Sequence, residues 1–108
     1  MKILYAIIIF LSVNVFAEDY FLVDVRTQQE FKSGHVEDAS NIEWQNISVI
    51  IEDIEKDKKI YLYCRSGNRS QKATNILIEL GYQDVTNLGG LKDAAIFLGK
   101  KITEWKIS

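Results

Sequence analysis

Short apolar runs alternate with amphipathic segments along the chain from residue 20 onward. Residues 20–23 and 60–63 are apolar runs of a length that is typical of buried strands. Residues 84–88 have the composition of another short strand, and residues 41–42 could form a brief one. The pattern therefore predicts a small sheet whose central strands are buried.

Three segments between these runs have the character of helices. Thr27 and Glu30 have the spacing of a capping box, which predicts a short helix that stops at Gly34. Val49, Ile50, Ile51 and Ile54 indicate an amphipathic helix, and residues 70–80 place Ala73, Ile76, Leu77 and Leu80 on one helical face. Strands that alternate with helices predict parallel β-α-β units and an α/β sandwich.

The end of the chain is less regular. Gly89 and Gly90 predict a turn after the last strand. The segment from Lys92 onward should pack on the domain, because it would otherwise expose a large apolar area. The candidate packing residues are Ile96, Phe97, Leu98 and Trp105.

The first residues have the pattern of an export signal. A positive start at Lys2 precedes an almost entirely apolar stretch over residues 3–13, and small residues stand at Val15 and Ala17. We therefore expect residues 1–17 to be a cleaved signal peptide, residues 18–108 to form one domain, and the protein to reach the periplasm. The alternative is a retained membrane anchor, but the apolar stretch is short for a bilayer.

Composition narrows the function classes. With 13 basic and 15 acidic residues the net charge is −2, which argues against a nucleic-acid-binding protein. The single cysteine excludes an internal disulfide, so an exported chain would carry a reactive thiol or an intermolecular bond. One Cys, one His and one Met also argue against structural zinc. We predict no metal, no cofactor, no membrane contact after cleavage, and a monomer.

The chemistry points to Cys64, which lies between a predicted strand and a predicted helix. Backbone N–H groups and the positive end of a helix dipole meet at such a turn, and both favour a thiolate. A buried structural cysteine is the alternative, but polar rather than apolar residues follow this one. The polar residues that follow Cys64 are the candidate anion-binding residues: Arg65, Ser66, Gly67, Asn68, Arg69 and Ser70.

Several short motifs occur in a familiar order. They are Asp24-Val25-Arg26, Glu30-Phe31, Gly34-His35-Val36, Ala39-Ser40-Asn41-Ile42, the Cys64 loop and Asn87-Leu88-Gly89-Gly90. Over about residues 20–94 the chain resembles a single-domain rhodanese, a thiosulfate sulfurtransferase, and is most similar to the small periplasmic phage-shock type. The resemblance implies a three-layer α/β/α sandwich around a small parallel sheet.

The resemblance also implies a ping-pong reaction. Cys64 would take the outer sulfur of thiosulfate, release sulfite and become a persulfide, from which cyanide or a thiol removes the sulfur. The loop amides of residues 65–70 would surround the persulfide. Arg65 and Arg69 are candidates for holding the substrate anion, because arginine matches tetrahedral oxyanions.

Three further residues have supporting roles in this interpretation. Asp24 ends a strand, where it could bond the Cys64 loop, but a buried structural pair with Arg26 is favoured. His35 is the only histidine and a conceivable catalytic base, although the resemblance places it in a structural turn.

The chain departs from many members of this family at two positions. Proline is common where this chain has Glu43, and tryptophan is common where it has Ala94, so the packing at those two loops is open.

Three competing functions use the same thiol or the same fold. A phosphatase or arsenate reductase usually has arginine six positions after cysteine, where this chain has Ser70 and places Arg69 one residue earlier. A non-catalytic rhodanese module would often lack the cysteine that is present here. A persulfide carrier or a redox protein would use Cys64 in the same way as an enzyme.

Overall fold

The computed structural model describes residues 19–104. The predicted signal peptide and Trp105 lie outside the described residues. In chain order the elements are β1 (Tyr20–Asp24), α1 (Gln28–Ser33), β2 (His35–Val36), β3 (Ser40–Asn41), a 3-10 helix (Trp44–Glu52), β4 (Lys59–Cys64), α2 (Asn68–Glu79), β5 (Asp84–Gly90), α3 (Leu91–Leu98) and β6 (Ile102–Thr103).

Four strands form one parallel sheet in the order β3-β1-β4-β5, with the short β3 at one edge. In this sheet Val23 of β1 lies opposite Leu62 of β4, and Leu62 lies opposite Asn87 of β5. The short strands β2 and β6 pair with each other in an antiparallel sheet of two strands. Because all strands of the main sheet are parallel, the segments that follow them gather at one edge.

The core lies on both faces of the main sheet. On one face Val23, Ile60 and Leu62 pack with α2 and the 3-10 helix. On the other face Leu22 and Tyr61, the sequence neighbours of those residues, pack with α3 and β2. Successive side chains of a strand point to opposite faces, so continuous apolar runs are needed to bury both. The predicted three-layer α/β/α sandwich is confirmed.

The segment after β3 is a 3-10 helix. The predicted set of buried residues for this segment is wrong in part. Val49 and Ile51 are exposed, whereas Ile47 and Ile50 are buried and Trp44 packs against the same core. These three packing residues recur every third position, which is the period of a 3-10 helix with three residues per turn. The helix also begins well before Val49.

The predicted turn at Gly89 and Gly90 is also wrong, because β5 continues through Gly90. The backbone there pairs with the neighbouring strand, with Gly90 opposite Cys64. Helix α3 then starts immediately, and the carboxylate of Asp93 accepts a hydrogen bond from the Gly90 N–H at 3.0 Å. The end of β5 therefore lies directly beside the Cys64 loop.

Helix α3 buries its small residues and exposes two of its large ones. Ala94 and Ala95 are buried against the sheet, whereas Ile96 is 81% exposed and Phe97 is 62% exposed. Of the residues expected to pack, Leu98 joins the core, and the Phe97 ring makes an edge contact with the core residue Tyr61 at 5.5 Å between ring centroids. Small side chains allow the helix to approach the sheet closely. Within residues 19–104, no helix has the length and apolar character needed to cross a bilayer.

Candidate active site around Cys64

Cys64 is the last residue of β4, at the carboxyl edge of the sheet. The side chain is buried, and Cys64 packs with the core on the face that α2 covers. Three residues connect it to α2, which begins at Asn68. The strand and the helix therefore fix the thiol at the start of α2, where the helix dipole is positive.

Two glycines allow the backbone around Cys64 to take this shape. Gly67 has φ 102°, a left-handed conformation that residues with a side chain rarely adopt. Gly90 lies under the loop, where an added Cβ would stand 2.6 Å from the carbonyl oxygen of Arg65. Any larger residue at position 90 would displace the loop backbone.

Three hydrogen bonds converge on the sulfur of Cys64. The Gly67 N–H donates to Sγ at 3.0 Å, the Ser70 N–H at 3.4 Å, and the Ser70 hydroxyl lies 3.3 Å from Sγ. Ser70 is fully buried, so no bulk water competes for its hydroxyl. The arrangement is a cradle for negative charge on sulfur.

Two opposing effects set the pKa of the Cys64 thiol. Burial raises it, because the charged form loses its contact with water. Hydrogen bonds from the Ser70 side chain and from the amides of Ser70, Ser66 and Gly67 lower it. The hydrogen bonds outweigh the burial, and the pKa of Cys64 lies below its ordinary value. The thiolate, which is the nucleophilic form, is therefore favoured.

The remaining loop side chains lie toward solvent, although the amide of Ser66 helps to lower the pKa of Cys64. Arg65, Ser66 and Asn68 are exposed, and Arg65 makes no ion pair with any residue that the structure describes. Gly67 and Ser70 bond the sulfur, as described above. In the predicted substrate-binding loop, Gly67 and Ser70 thus bond the sulfur, Ser66 contributes its amide from the surface, and Arg65 and Asn68 are exposed.

Arg69 makes a two-pronged ion pair with Glu30 of α1. One guanidinium nitrogen lies 2.8 Å from Oε1 of Glu30 and the other lies 3.1 Å from Oε2. The bonds from Arg69 hold the pKa of Glu30 down at about 2. Glu30 also accepts the Thr27 N–H at 2.9 Å, so the predicted capping box is confirmed. Arg69 therefore ties the Cys64 loop to the start of α1, and substrate binding by it stays a prediction.

Asp24 and Arg26 form the buried pair that was favoured over a bond to the Cys64 loop. The shortest contact joins Nη2 of Arg26 to Oδ2 of Asp24 at 2.7 Å, and Asp24 is fully buried. Arg26 also donates to the carbonyl of Gly34. Burial lowers the pKa of Arg26, but the hydrogen bond and the charge of Asp24 raise it by more, so the pKa lies above its ordinary value. The pair fixes the connection between β1 and β2 beside the site.

His35 is part of the structural surroundings rather than of the sulfur cradle. Its Nδ1 atom lies 2.9 Å from the carbonyl oxygen of Phe31, and its ring stacks on that of Phe31 at 3.7 Å. In addition, His35 pairs with Thr103 in the small sheet. These contacts suit the structural turn that the resemblance implied, and they do not include Cys64.

Asn87 is a site residue to which the sequence analysis gave no role. Its Oδ1 atom accepts hydrogen bonds from the Ser70 hydroxyl at 2.6 Å and from the Gly89 N–H at 2.9 Å. Its Nδ2 atom donates to the carbonyl of Gly67 at 3.1 Å. The position of Asn87 at the start of the Asn-Leu-Gly-Gly motif was the signal that could have identified it.

Comparisons with known proteins agree with this geometry. The thiosulfate sulfurtransferase PspE of Escherichia coli (strain K12) is 37% identical over 97 residues, which cover 88% of this chain and 92% of PspE. A sulfurtransferase of Allochromatium vinosum is 41% identical over 73 residues, which cover 68% of each chain.

A solved structure supports the same relationship. The structure described as a rhodanese with anions from E. coli superposes with a TM-score of 0.70 at 31% identity, and the match covers 79% of this chain and 98% of that one. The model of the rhodanese-like domain matches residues 11–95, which is most of the chain. The chain therefore belongs to the rhodanese family.

Proposed function

We propose that this protein is a thiosulfate sulfurtransferase that carries sulfur as a persulfide on Cys64. The observation that carries the proposal is the set of hydrogen bonds from Gly67 and Ser70 to a buried Sγ atom. Membership of the rhodanese family and the names of the relatives support sulfur transfer. The choice of thiosulfate as donor follows the name of PspE.

The reaction needs no general base if Cys64 is already a thiolate. The sulfur of Cys64 attacks the outer sulfur of thiosulfate, the S–S bond of thiosulfate breaks, and sulfite leaves with the electron pair. In the second step cyanide or a thiolate attacks the outer sulfur of the persulfide, and Sγ leaves as a thiolate. Fixed N–H donors suit both steps, because they are already oriented toward the sulfur charge.

The two loop arginines would attract the thiosulfate dianion to different degrees. The charge of Arg69 is offset by Glu30, to which it is bonded. Arg65 is exposed at the start of the loop and has no such counter-charge among the described residues. We therefore assign the larger share of anion attraction to Arg65.

The test is intact-protein mass spectrometry before and after addition of thiosulfate. The proposal expects a gain of one sulfur atom in the wild-type protein and none in Cys64→Ser, together with loss of thiocyanate formation from cyanide in that variant. Thiosulfate turnover that survives in Cys64→Ser would refute the mechanism. A folded wild-type protein that gains no sulfur would instead favour a binding module.

We also propose that residues 1–17 direct export to the periplasm and are then removed. The support is the sequence pattern of a positive start, an apolar stretch and small residues before position 18. The same mass spectrum of protein purified from the periplasm would give the mature N-terminus. A mass that includes residues 1–17 would contradict cleavage.

A further inference from the structure

The hydroxyl group of Ser70 faces two acceptors but has a single proton. Its Oγ atom lies 2.6 Å from Oδ1 of Asn87 and 3.3 Å from Sγ of Cys64. A serine hydroxyl donates one hydrogen bond at a time and can accept others. The proton can therefore point to Asn87 or to Cys64, but not to both.

The orientation of the Asn87 amide is fixed by its other neighbours. The Gly89 N–H can only donate, so the atom that faces it at 2.9 Å must be the acceptor Oδ1. The carbonyl of Gly67 can only accept, so the atom that faces it at 3.1 Å must be Nδ2. Ser70 consequently always meets an acceptor on the Asn87 side.

The protonation state of Cys64 then decides where the Ser70 proton points. When Cys64 is a thiol, its S–H can donate to Oγ of Ser70 while the hydroxyl donates to Asn87. When Cys64 is a thiolate, Sγ can only accept, and the hydroxyl has to turn toward it. Oδ1 of Asn87 still keeps the Gly89 N–H in that state.

We propose that Asn87 is a positioning residue for sulfur transfer, which holds the Ser70 proton until negative charge appears on Sγ of Cys64. This inference rests on the proposed function. In the persulfide, Sγ is a neutral sulfur bonded to the outer sulfur, and the hydroxyl donates to Asn87. When an acceptor attacks the outer sulfur, the S–S bond breaks and its electron pair passes to Sγ. The hydroxyl then turns to the new thiolate, and no proton is transferred.

The charged groups near the loop do not replace this device. Arg69 is paired with Glu30, and Asp24 is paired with Arg26. Arg65 is exposed to solvent, and the carboxylate of Asp93 accepts the Gly90 N–H. The donors that bond Sγ directly are uncharged. The Ser70 hydroxyl bonds Asn87 in the persulfide and Sγ in the leaving thiolate, so the bond that it gives up to Asn87 offsets part of the stabilisation that it gives to the thiolate.

A double-mutant cycle tests the competition for the Ser70 proton. The pKa of Cys64 is read from the rate of alkylation by iodoacetamide against pH, for Asn87→Ala in the wild-type background and in the Ser70→Ala background. In the wild-type background, Asn87→Ala removes the competing acceptor and should lower the pKa of Cys64. The pKa should fall by about 0.5–1 more than it does in the Ser70→Ala background, as expected for one hydrogen bond. Asn87→Ala also removes the hydrogen bond to the carbonyl of Gly67. This loss occurs in both backgrounds, so it cancels in the comparison.

Gln71 provides a matched control, because it accepts a hydrogen bond from Nδ2 of Asn87 without facing Ser70. Gln71→Ala should leave the pKa of Cys64 unchanged. If circular dichroism shows that Asn87→Ala is unfolded, Asn87→Val replaces it, since a branched side chain suits a strand. An equal pKa change in both backgrounds, or a change of opposite sign, would overturn the proposal. Alkylation needs no sulfur donor, so this result is independent of whether thiosulfate is the substrate.

Discussion

Replacement of Glu30 by glutamine should destabilise the protein without breaking the helix cap. Glutamine can still accept the Thr27 N–H, because the capping box tolerates either Glu or Gln at this position. It loses the negative charge that faces Arg69 at 2.8 Å. The substitution therefore separates the ion pair from the cap, which Glu30→Ala would remove together.

The pKa of Glu30 gives an upper limit for the effect. A fall from the ordinary value of 4.5 to about 2 corresponds to about 3 kcal/mol of interaction. Water weakens the pair, since the side chains of Arg69 and Glu30 are 29% and 27% exposed. We expect Glu30→Gln to cost about 1–2 kcal/mol in the free energy of unfolding, which lowers Tm by about 4–8 °C per kcal/mol in a domain of this size.

The assay is urea unfolding of the two proteins at pH 7 and at pH 3. The folded-state pKa of Glu30 is depressed, so the stabilisation is complete above the unfolded value of 4.5 and is lost as the pH falls toward about 2. The difference between wild type and Glu30→Gln should therefore be roughly halved at pH 3. In Arg69→Ala the same substitution should have little effect.

Two outcomes would refute this reasoning. A difference below about 0.3 kcal/mol at pH 7 would show that solvent cancels the pair, as it does for many surface pairs. A difference that is the same at pH 3 and pH 7 would show that the cost comes from packing or the cap rather than from charge.

Three other predictions concern the loop and its neighbours. Gly90→Ala should cost about 1–3 kcal/mol in urea unfolding, because its Cβ would lie 2.6 Å from the Arg65 carbonyl; an unchanged midpoint would contradict the close approach. Arg65→Ala should raise KM for thiosulfate more than Arg69→Ala does, with a neutral persulfide donor as control, and the reverse order would contradict the assignment. His35→Ala should lower stability by about 1–2 kcal/mol and keep turnover, since the ring stacks on Phe31; a stable but inactive variant would place His35 in the site.

The sheet and the Cys64 loop could be predicted because their signals are local. The runs at 20–23 and 60–63 are apolar on every residue, and the structure buries both faces of β1 and β4 at their centres. The capping box of Thr27 and Glu30 spans a single helical turn. A cysteine between such a strand and a helix must lie where loop amides converge.

Other features depend on packing and could not be predicted in this way. The 3-10 helix contains enough apolar residues to fit an α-helical face, and the packing partners selected the three-residue spacing of Trp44, Ile47 and Ile50 instead. In α3, hydrophobicity favoured Ile96 and Phe97 as packing residues. In the structure Ala94 and Ala95 are the buried residues, and Phe97 reaches only an edge contact with Tyr61.

The partners of the site residues come from distant parts of the chain. Glu30 is 39 positions before Arg69, and Asn87 is 17 positions after Ser70, so neither pairing has a local pattern. Both follow from the sheet order, which places β1 and β5 on either side of β4.

This placement also separates the two arginines from the stabilisation of the thiolate. The sequence made Arg65 and Arg69 candidates for holding the substrate anion, and the structure offsets the charge of Arg69 with Glu30. The groups that bond Sγ are the amides of Gly67 and Ser70 and the Ser70 hydroxyl. Because the two amides are fixed by the backbone, they need little reorganisation when charge moves onto or off the sulfur, and the Ser70 hydroxyl is the one donor that turns. Dipoles of the loop therefore stabilise the thiolate, and attraction of an anionic donor by the exposed Arg65 stays a prediction.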